Sequence, residues 1–186
     1  MRKLKLQVQM TMDGFMAGPQ GEMNWVTFNW SDDLNDYVTK LTDPVDTILL
    51  GKNLAMGFIP HWTAGLNQAE PMEGAKKMVE TPKVVFSKSL THSEWDNTVI
   101  ASGDLAEEVN NLKNKAGGDL IAYGGGQFVS SLIKEKLIDD LHLFINPAVI
   151  GKGMPIFEKV TDLQKYILIA AKSFDCGVVV LNYIPL

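Results

Sequence analysis

The sequence predicts an α/β fold with a mostly parallel sheet and an antiparallel hairpin at its C-terminal end. Strand-like and helix-like segments alternate along most of the chain. The last two strand candidates, residues 165–172 and 177–184, follow one another with no helix between them, which favours a hairpin. The length of 186 residues, 46% of them hydrophobic and 21% charged, fits one globular domain over residues 1–186.

The first half of the chain contains three strand candidates and two clear helix candidates. Apolar and polar residues alternate in the first segment, which predicts a strand. Ser31 is placed to cap the first helix, and Gly51 begins the turn into the second. A weakly helical stretch is predicted at 68–79, and a glycine-rich loop at 13–21. The strand candidates are residues 4–11, 45–50 and 83–86.

The second half has stronger local signals. Asp104 is an N-cap candidate with Glu107 in the capping-box position, which predicts a helix that ends before Gly117. An apolar run at 120–123 then leads into a helix at 127–136. A strand at 138–145 follows, and a loop rich in glycine and proline extends from 146 to 155.

Charge and cysteine content exclude several classes of function. With 17 basic and 22 acidic residues the net charge is −5, which argues against nonspecific nucleic-acid binding. Cys176 is the single cysteine, so no disulfide forms within the chain, and no Cys/His cluster has the spacing of a zinc site. No apolar run approaches the ~20 residues of a spanning helix. We therefore expect a cytoplasmic protein without a metal and without a membrane partner.

Three consecutive glycines, Gly124, Gly125 and Gly126, separate an apolar strand from a helix. A turn without Cβ atoms lets a ligand approach the backbone, and the first amides of the helix favour a phosphate. The alternative is a tight connection without a ligand. The triple glycine lacks the glycine spacing of a Rossmann fingerprint. Gly51 and Lys52 do not form a P-loop, because Asn53 follows in place of Ser or Thr and the upstream glycine is missing.

Two other strand ends carry groups that suit an anion. Gly51 and Lys52 follow one strand, and Ser87 and Lys88 follow another. Parallel sheets bind ligands at the carboxyl ends of their strands. We therefore expect these two ends and the triple glycine to converge on one dinucleotide.

An ordered set of segments resembles the dihydrofolate-reductase-like superfamily. The resemblance is greatest to the C-terminal reductase domain of the bifunctional riboflavin-biosynthesis deaminase-reductases and to its stand-alone relatives. It covers nearly the whole chain and implies a three-layer α/β/α reductase domain that binds NADPH, acts on a small molecule and is often a homodimer. The segments that carry it are residues 12–18, 46–52, 86–90, 124–126 and 145–153.

The resemblance also assigns cofactor contacts. It places Ala17 and Gly18 against the nicotinamide, and Ser87 and Lys88 at the adenosine 2′-phosphate. The remaining contacts that it implies are with the cofactor phosphates: Gly51, Lys52, Gly124, Gly125, Gly126 and Gln127. Two lysines near a phosphate would favour NADPH over NADH.

Candidates for the chemistry are fewer. Hydride transfer needs alignment and exclusion of water, together with a proton from a side chain or a water molecule. Asp13 and Asp32 are the candidate acids, with Asp36 a further possibility, although Asp13 also suits bracing of its loop and Asp32 suits the helix start. His61 follows Pro60 and is expected in a loop. Six residues are candidates for lining the pocket of a flat substrate: Trp25, Phe28, Trp30, Phe58, His61 and Trp62.

The predicted function is NADPH-dependent reduction of a pteridine- or pyrimidine-like molecule. The family's best-known substrate is the ribosylaminopyrimidine of riboflavin synthesis, 5-amino-6-(5-phosphoribosylamino)uracil. One position departs from the family, because Asn24 stands where many stand-alone relatives carry an acid. The alternative is a nucleotide- or flavin-binding module on the same fold that has no turnover.

Overall fold

The computed structural model describes all residues from 1 to 186, arranged around one eight-stranded sheet. A second sheet contains two very short strands. The elements in chain order are β1 (Leu4–Thr11), β2 (Phe15–Ala17), α1 (Asp32–Thr42), β3 (Val45–Gly51), α2 (Lys52–Leu66), α3 (Ala75–Glu80), β4 (Lys83–Phe86), β5 (Thr98–Ala101), α4 (Leu105–Asn114), β6 (Asp119–Ala122), α5 (Gly126–Lys134), β7 (Asp140–Asn146), β8 (Met154–Pro155), β9 (Tyr166–Ser173) and β10 (Val179–Pro185).

The large sheet has the order β5-β4-β3-β6-β1-β7-β10-β9. From β5 to β7 every neighbouring pair is parallel, whereas β10 runs antiparallel to both β7 and β9. This arrangement confirms the predicted fold class and the C-terminal hairpin. The hairpin has an irregular register between Asn182 and Tyr183.

Helices cover both faces of the sheet. On one face α1 packs on β7 and β10, with Leu34 against Phe144 and Val180. On the same face α2 packs on β3 and β6, in a cluster that includes Ile48 and Ile59. The strand β1 lies between these two regions in the sheet order. The opposite face is covered by α4 and α5, which contribute Val109, Val129, Leu132 and Ile133 to the largest core cluster.

Four local predictions differ from the structure. Residues 13–21 include β2, which pairs with β8 where only a loop was predicted. This pairing needs Gly153, because a Cβ there would stand 2.3 Å from the Ala17 carbonyl oxygen. The strand β5 was not predicted, since it is four residues long and lies at the sheet edge. Of the stretch 68–79, only the part from Ala75 onward is helical.

The fourth difference concerns Pro60 and His61. Both lie inside α2, and the prediction of a loop there was wrong. Proline removes one helical hydrogen bond, the one that the carbonyl of Met56 would accept. Because Met56 and Pro60 are exposed, water can satisfy that carbonyl and the helix continues.

Candidate functional site

The three strand ends singled out from the sequence lie at one edge of the sheet. The strands β4, β3 and β6 are consecutive neighbours and run parallel. Their carboxyl ends therefore bring Ser87, Gly51 and Gly124 side by side. The three ends are therefore neighbours in the fold.

The glycine turn has a backbone that other residues rarely adopt. Gly124 has φ +149° and Gly125 has φ +85°. The helix α5 begins at Gly126, and no side chain caps its N-terminus. The first amides of α5 are thus left for another acceptor, and the helix dipole makes this end favourable for an anion.

Gly51 has a packing role in addition to its place at the edge. A Cβ at Gly51 would stand 2.7 Å from the Cβ of Phe128 in α5. The ring of Phe128 in turn packs against Phe86 of β4, with centroids 5.0 Å apart. Because Gly51 has no side chain, the start of α5 can pack closely against the ends of β3 and β4.

The basic residues at this edge hydrogen-bond to neighbouring loops. The Lys52 ammonium donates to the hydroxyl of Ser89 at 2.7 Å. The exposed Lys88 donates to the carbonyls of Ser102 and Gly103, both at 2.7 Å. Both lysines bond only to neutral oxygens, so their charge remains available to an anion.

Ser87 is buried and organises the turn after β4. Its hydroxyl oxygen accepts hydrogen bonds from the backbone amides of Ser89 and Leu90 at 3.1 and 3.0 Å. These hydrogen bonds fix the backbone of Lys88 in the turn that follows β4. Gln127 donates its side-chain NH₂ to Glu158 at 2.9 Å, so its backbone amide, in the first turn of α5, is the group left for a ligand.

Ala17, the last residue of β2, and Gly18, which follows it, are both buried. The amide of Gly18 donates to the carbonyl of Glu22 at 2.8 Å, and a Cβ at Gly18 would meet the Glu22 carboxylate. The side chain of Met16 packs against Gly124 and Gly126. The strand β2 therefore lies beside the glycine turn.

The two candidate acids occupy different positions. Asp13 accepts hydrogen bonds from the amides of Gly151 at 2.7 Å and Ile150 at 3.2 Å, which brace the loop after β7. The Thr11 hydroxyl first, and then these amides, hold the pKa of Asp13 below its usual range. An ionised carboxylate has no proton to give at neutral pH. Asp32 is exposed at the first position of α1.

The first three aromatic candidates lie on the segment between β2 and α1. Trp25 donates its indole N–H to the carbonyl of Glu22 at 3.2 Å. Phe28 is 74% exposed. Trp30 is stacked on Phe144, with centroids 6.3 Å apart, and its indole nitrogen is buried without a hydrogen-bond partner.

The other three aromatic candidates lie on α2. Phe58 is stacked on Tyr123, with centroids 5.4 Å apart, and meets Trp62 edge-on at 6.0 Å. His61 is exposed and lies edge-on to Trp62. Sequence reasoning missed Tyr123 as a site residue, although its position directly before the triple glycine was a usable signal. Burial alone raises the pKa of its hydroxyl.

A second polar residue missed from the sequence is Asn146, at the end of β7. It is fully buried, and its carbonyl oxygen accepts from the amide of Thr27 at 2.9 Å. Its NH₂ group donates to the side chain of Gln9 at 2.8 Å. Asn146 thus ties the aromatic segment to β1 and β7.

Two cavities lie away from this edge. One of about 300 Å³ is bounded by Ile133, Tyr166 and Leu186, beyond the C-terminal end of α5. One of about 200 Å³ lies between Trp62, Met78 and Trp95, at the amino end of β4. Neither includes a glycine of the turn. No group of three or more His, Cys, Asp or Glu side chains is arranged to hold a metal ion, and no helix is long and apolar enough to cross a bilayer.

The fold and its glycine-lined edge define the class of the protein, an α/β domain with a mostly parallel sheet and an antiparallel C-terminal hairpin. More particularly, the chain belongs to the RibD C-terminal domain family, whose model matches residues 2–180. It is 32% identical over 187 residues to the uncharacterized protein YyaP of Bacillus subtilis, covering 98% of this chain and 94% of that one. The predicted family is confirmed.

Solved structures of low sequence identity share the fold. A putative riboflavin biosynthesis protein from Shewanella sp. PV-4 is 20% identical with a TM-score of 0.74, covering 100% of this chain and 99% of that chain. A deaminase/5-amino-6-(5-phosphoribosylamino)uracil reductase from Thermotoga maritima is 18% identical with a TM-score of 0.72. This chain is covered completely in that match but spans only 57% of the Thermotoga protein.

Proposed function

We propose that the protein is an NADPH-dependent oxidoreductase that reduces a pteridine- or pyrimidine-like small molecule. The observation that carries the proposal is the uncapped N-terminus of α5 behind Gly124 and Gly125, beside two strand ends that present Lys52 and Lys88. Membership of the RibD C-terminal domain family supports it.

The residues at this edge fit a phosphorylated dinucleotide. The glycine turn lets a pyrophosphate reach the backbone amides of Gly126 and Gln127. Lys88, at the neighbouring strand end, would supply the positive charge that a 2′-phosphate requires. When bound, NADPH supplies the hydride for the reduction.

The chain itself would orient the reactants and exclude water. The nicotinamide ring would lie at the end of β2, by Ala17 and Gly18. The Phe58–Tyr123 stack and Trp30 offer flat apolar surfaces for a heteroaromatic substrate. Because the hydrogen bonds to Asp13 favour its ionised form, we propose that a water molecule beside the bound substrate delivers the proton.

A ribosylaminopyrimidine is the specific substrate that the comparisons favour, because the Thermotoga relative is described as a reductase of that compound. A cytoplasmic location belongs to the same proposal, since the single free cysteine, Cys176, suits a reducing compartment.

The proposal predicts that NADPH oxidation depends on an added pterin or pyrimidine. The experiment follows NADPH absorbance with a panel of oxidised pteridines and aminopyrimidines. In parallel, NADPH at 100 times its dissociation constant should stabilise the fold by about 2.7 kcal/mol. Stabilisation without turnover on the whole panel would indicate the binding module instead. No stabilisation at all would contradict the proposed cofactor.

We also propose that two copies of the chain associate through β9. This strand is one edge of the large sheet, and its backbone groups on the outer side lack a partner strand. Three consecutive apolar residues, Ile167, Leu168 and Ile169, are exposed along it. The other edge, β5, is four residues long against eight in β9. A two-fold axis would pair β9 with its own copy.

Ile169→Lys is expected to convert the dimer to a monomer, because it introduces a charge into the pairing edge. Ile169 is 55% exposed, so the fold of one chain should persist. Val99→Lys, at a 61% exposed position on the opposite edge, is the matched control. Light scattering after gel filtration measures the mass. A monomeric wild type, or a dimer lost only with Val99→Lys, would contradict the assignment.

A further inference from the structure

The face of β1 that looks toward α1 and α2 carries a row of polar side chains. Lys5 donates to the carbonyl of Leu41 at 3.0 Å, and Gln9 accepts from Asn146 at 2.8 Å. The hydroxyl of Thr11 accepts from the amide of Phe15 at 3.0 Å. Each of these three residues therefore has a partner within the chain.

Gln7 is the exception in this row. It is 6% exposed, and its carbonyl oxygen is buried without a hydrogen-bond partner. Buried polar groups are nearly always paired, because burial removes the water that would otherwise bind them. An unpaired amide oxygen at the centre of a sheet therefore calls for an explanation.

The position of Gln7 supplies that explanation. In the register of the sheet Gln7 is paired with His142 of β7. On its other side Leu6 is paired with Ala122, so the next residue beyond β6, Tyr123, is level with Gln7. Because α1 packs on β7 and β10 and α2 packs on β3 and β6, Gln7 lies on the strip of the sheet between the two helices, which we call the gap.

Aromatic surfaces stand on both sides of this gap. Phe58 and Tyr123 form a stack on the α2 side. Trp30 lies on Phe144 on the α1 side, and its indole N–H is the other buried group without a partner. Phe144 is paired with Gln9, the next inward-facing residue of β1. An unpaired acceptor and an unpaired donor thus lie on the same sheet face, among rings that suit a flat molecule.

We propose that Gln7 is a specificity-determining residue, which binds the lactam edge of a heterocyclic substrate in the gap between α1 and α2. The amide oxygen would accept from a ring N–H, and the amide NH₂ would donate to the adjacent ring carbonyl. A neutral amide makes this pair without changing the charge of the substrate. The inference rests on the proposed function and names the substrate edge that the site recognises.

The test compares two ligands on three proteins saturated with NADPH. Pteridine-2,4-dione presents a ring N–H between two carbonyls, and its N3-methyl derivative lacks that N–H. The wild type should bind the parent compound at least about tenfold more tightly, since a site built for an N–H leaves its own group unpaired with the analogue. Gln7→Met should bring the ratio of the two affinities close to one.

Gln9→Met is the matched control, since Gln9 has the same side chain on the same face of β1 and is already paired with Asn146. It should lower the melting temperature and keep the preference for the parent compound. Gln7→Met should instead raise the melting temperature of the free protein, because it removes the unpaired carbonyl.

Three results would overturn the inference: equal affinity of the wild type for both ligands, an unchanged ratio in Gln7→Met, or a lower melting temperature in that variant. The first of these needs no variant to fold. Stabilisation by NADPH is measured in the same samples. If that is present while the ligand preference is absent, only the role of Gln7 fails. If it is absent, the proposed function fails.

Discussion

Replacing Gly125 with alanine is expected to weaken NADPH binding about 100-fold, or about 2.8 kcal/mol. Gly125 has φ +85°, where a Cβ is strained, and its turn precedes the free amides of α5. A methyl group and a shifted backbone would displace the pyrophosphate from these amides. Hydrogen bonds from amides to a charged group contribute about 1.5–3 kcal/mol each. Titration calorimetry with NADPH measures the loss.

Gly74→Ala separates this effect from simple backbone strain. Gly74 has φ +76° and caps the short helix α3, away from the edge. A Cβ there meets nothing within 4 Å, and one at Gly125 makes only ordinary contacts, so both variants carry a similar strain. Both should lower the free energy of unfolding by about 1 kcal/mol, and only Gly125→Ala should lose NADPH. Equal cofactor binding by the two variants would rule out a phosphate contact at this turn.

Lys88→Gln is expected to lower the affinity for NADPH about 30-fold and the affinity for NADH less than about threefold. The Lys88 ammonium bonds only to the carbonyls of Ser102 and Gly103, which leave its charge unneutralised. A 2′-phosphate would gain a charge-assisted hydrogen bond there, and NADH has no group to use it. The measurement is the ratio of the two dissociation constants at fixed ionic strength.

Lys40→Gln provides the control for net charge. Lys40 is exposed in the last turn of α1 and forms no part of the glycine-lined edge. It should leave the ratio of NADPH to NADH affinity unchanged. An equal loss of both cofactors in Lys88→Gln would remove the 2′-phosphate assignment, although a pyrophosphate contact at Gly124–Gly126 could still stand.

The fold was predictable from the sequence because its strongest signals are local. Alternation of residues in β1, the capping residue Asp104 and the two adjoining C-terminal strands each reflect short-range chemistry. Asp104 accepts from the amides of Ala106 and Glu107, as a capping residue should. Ser31, in contrast, begins α1 without capping it, because its hydroxyl bonds to Asp33.

The elements that were missed depend on contacts between distant parts of the chain. The strand β2 exists because residues near 154 approach it, and only the small size of Gly153 permits this. Pro60 is a helix breaker in isolation, yet tertiary packing of Ala55 and Ile59 keeps α2 intact around it. Local propensity is overridden in both cases.

The candidate site was predictable only in part, for the same reason. The glycine turn and the residues after β3 and β4 are visible as motifs, and the sheet order then makes them neighbours. Gln7 and Gln9 look equivalent in the sequence, since both are inward-facing residues of one strand. Only the placement of Asn146 beside Gln9 leaves Gln7 as the one without a partner.

A crystal structure of the protein grown with NADPH tests the proposed cofactor site most directly. We expect the pyrophosphate within hydrogen-bond distance of the backbone amides of Gly126 and Gln127, with the 2′-phosphate beside Lys88. Cofactor bound at another edge of the sheet, or no bound cofactor at saturating concentration, would contradict it.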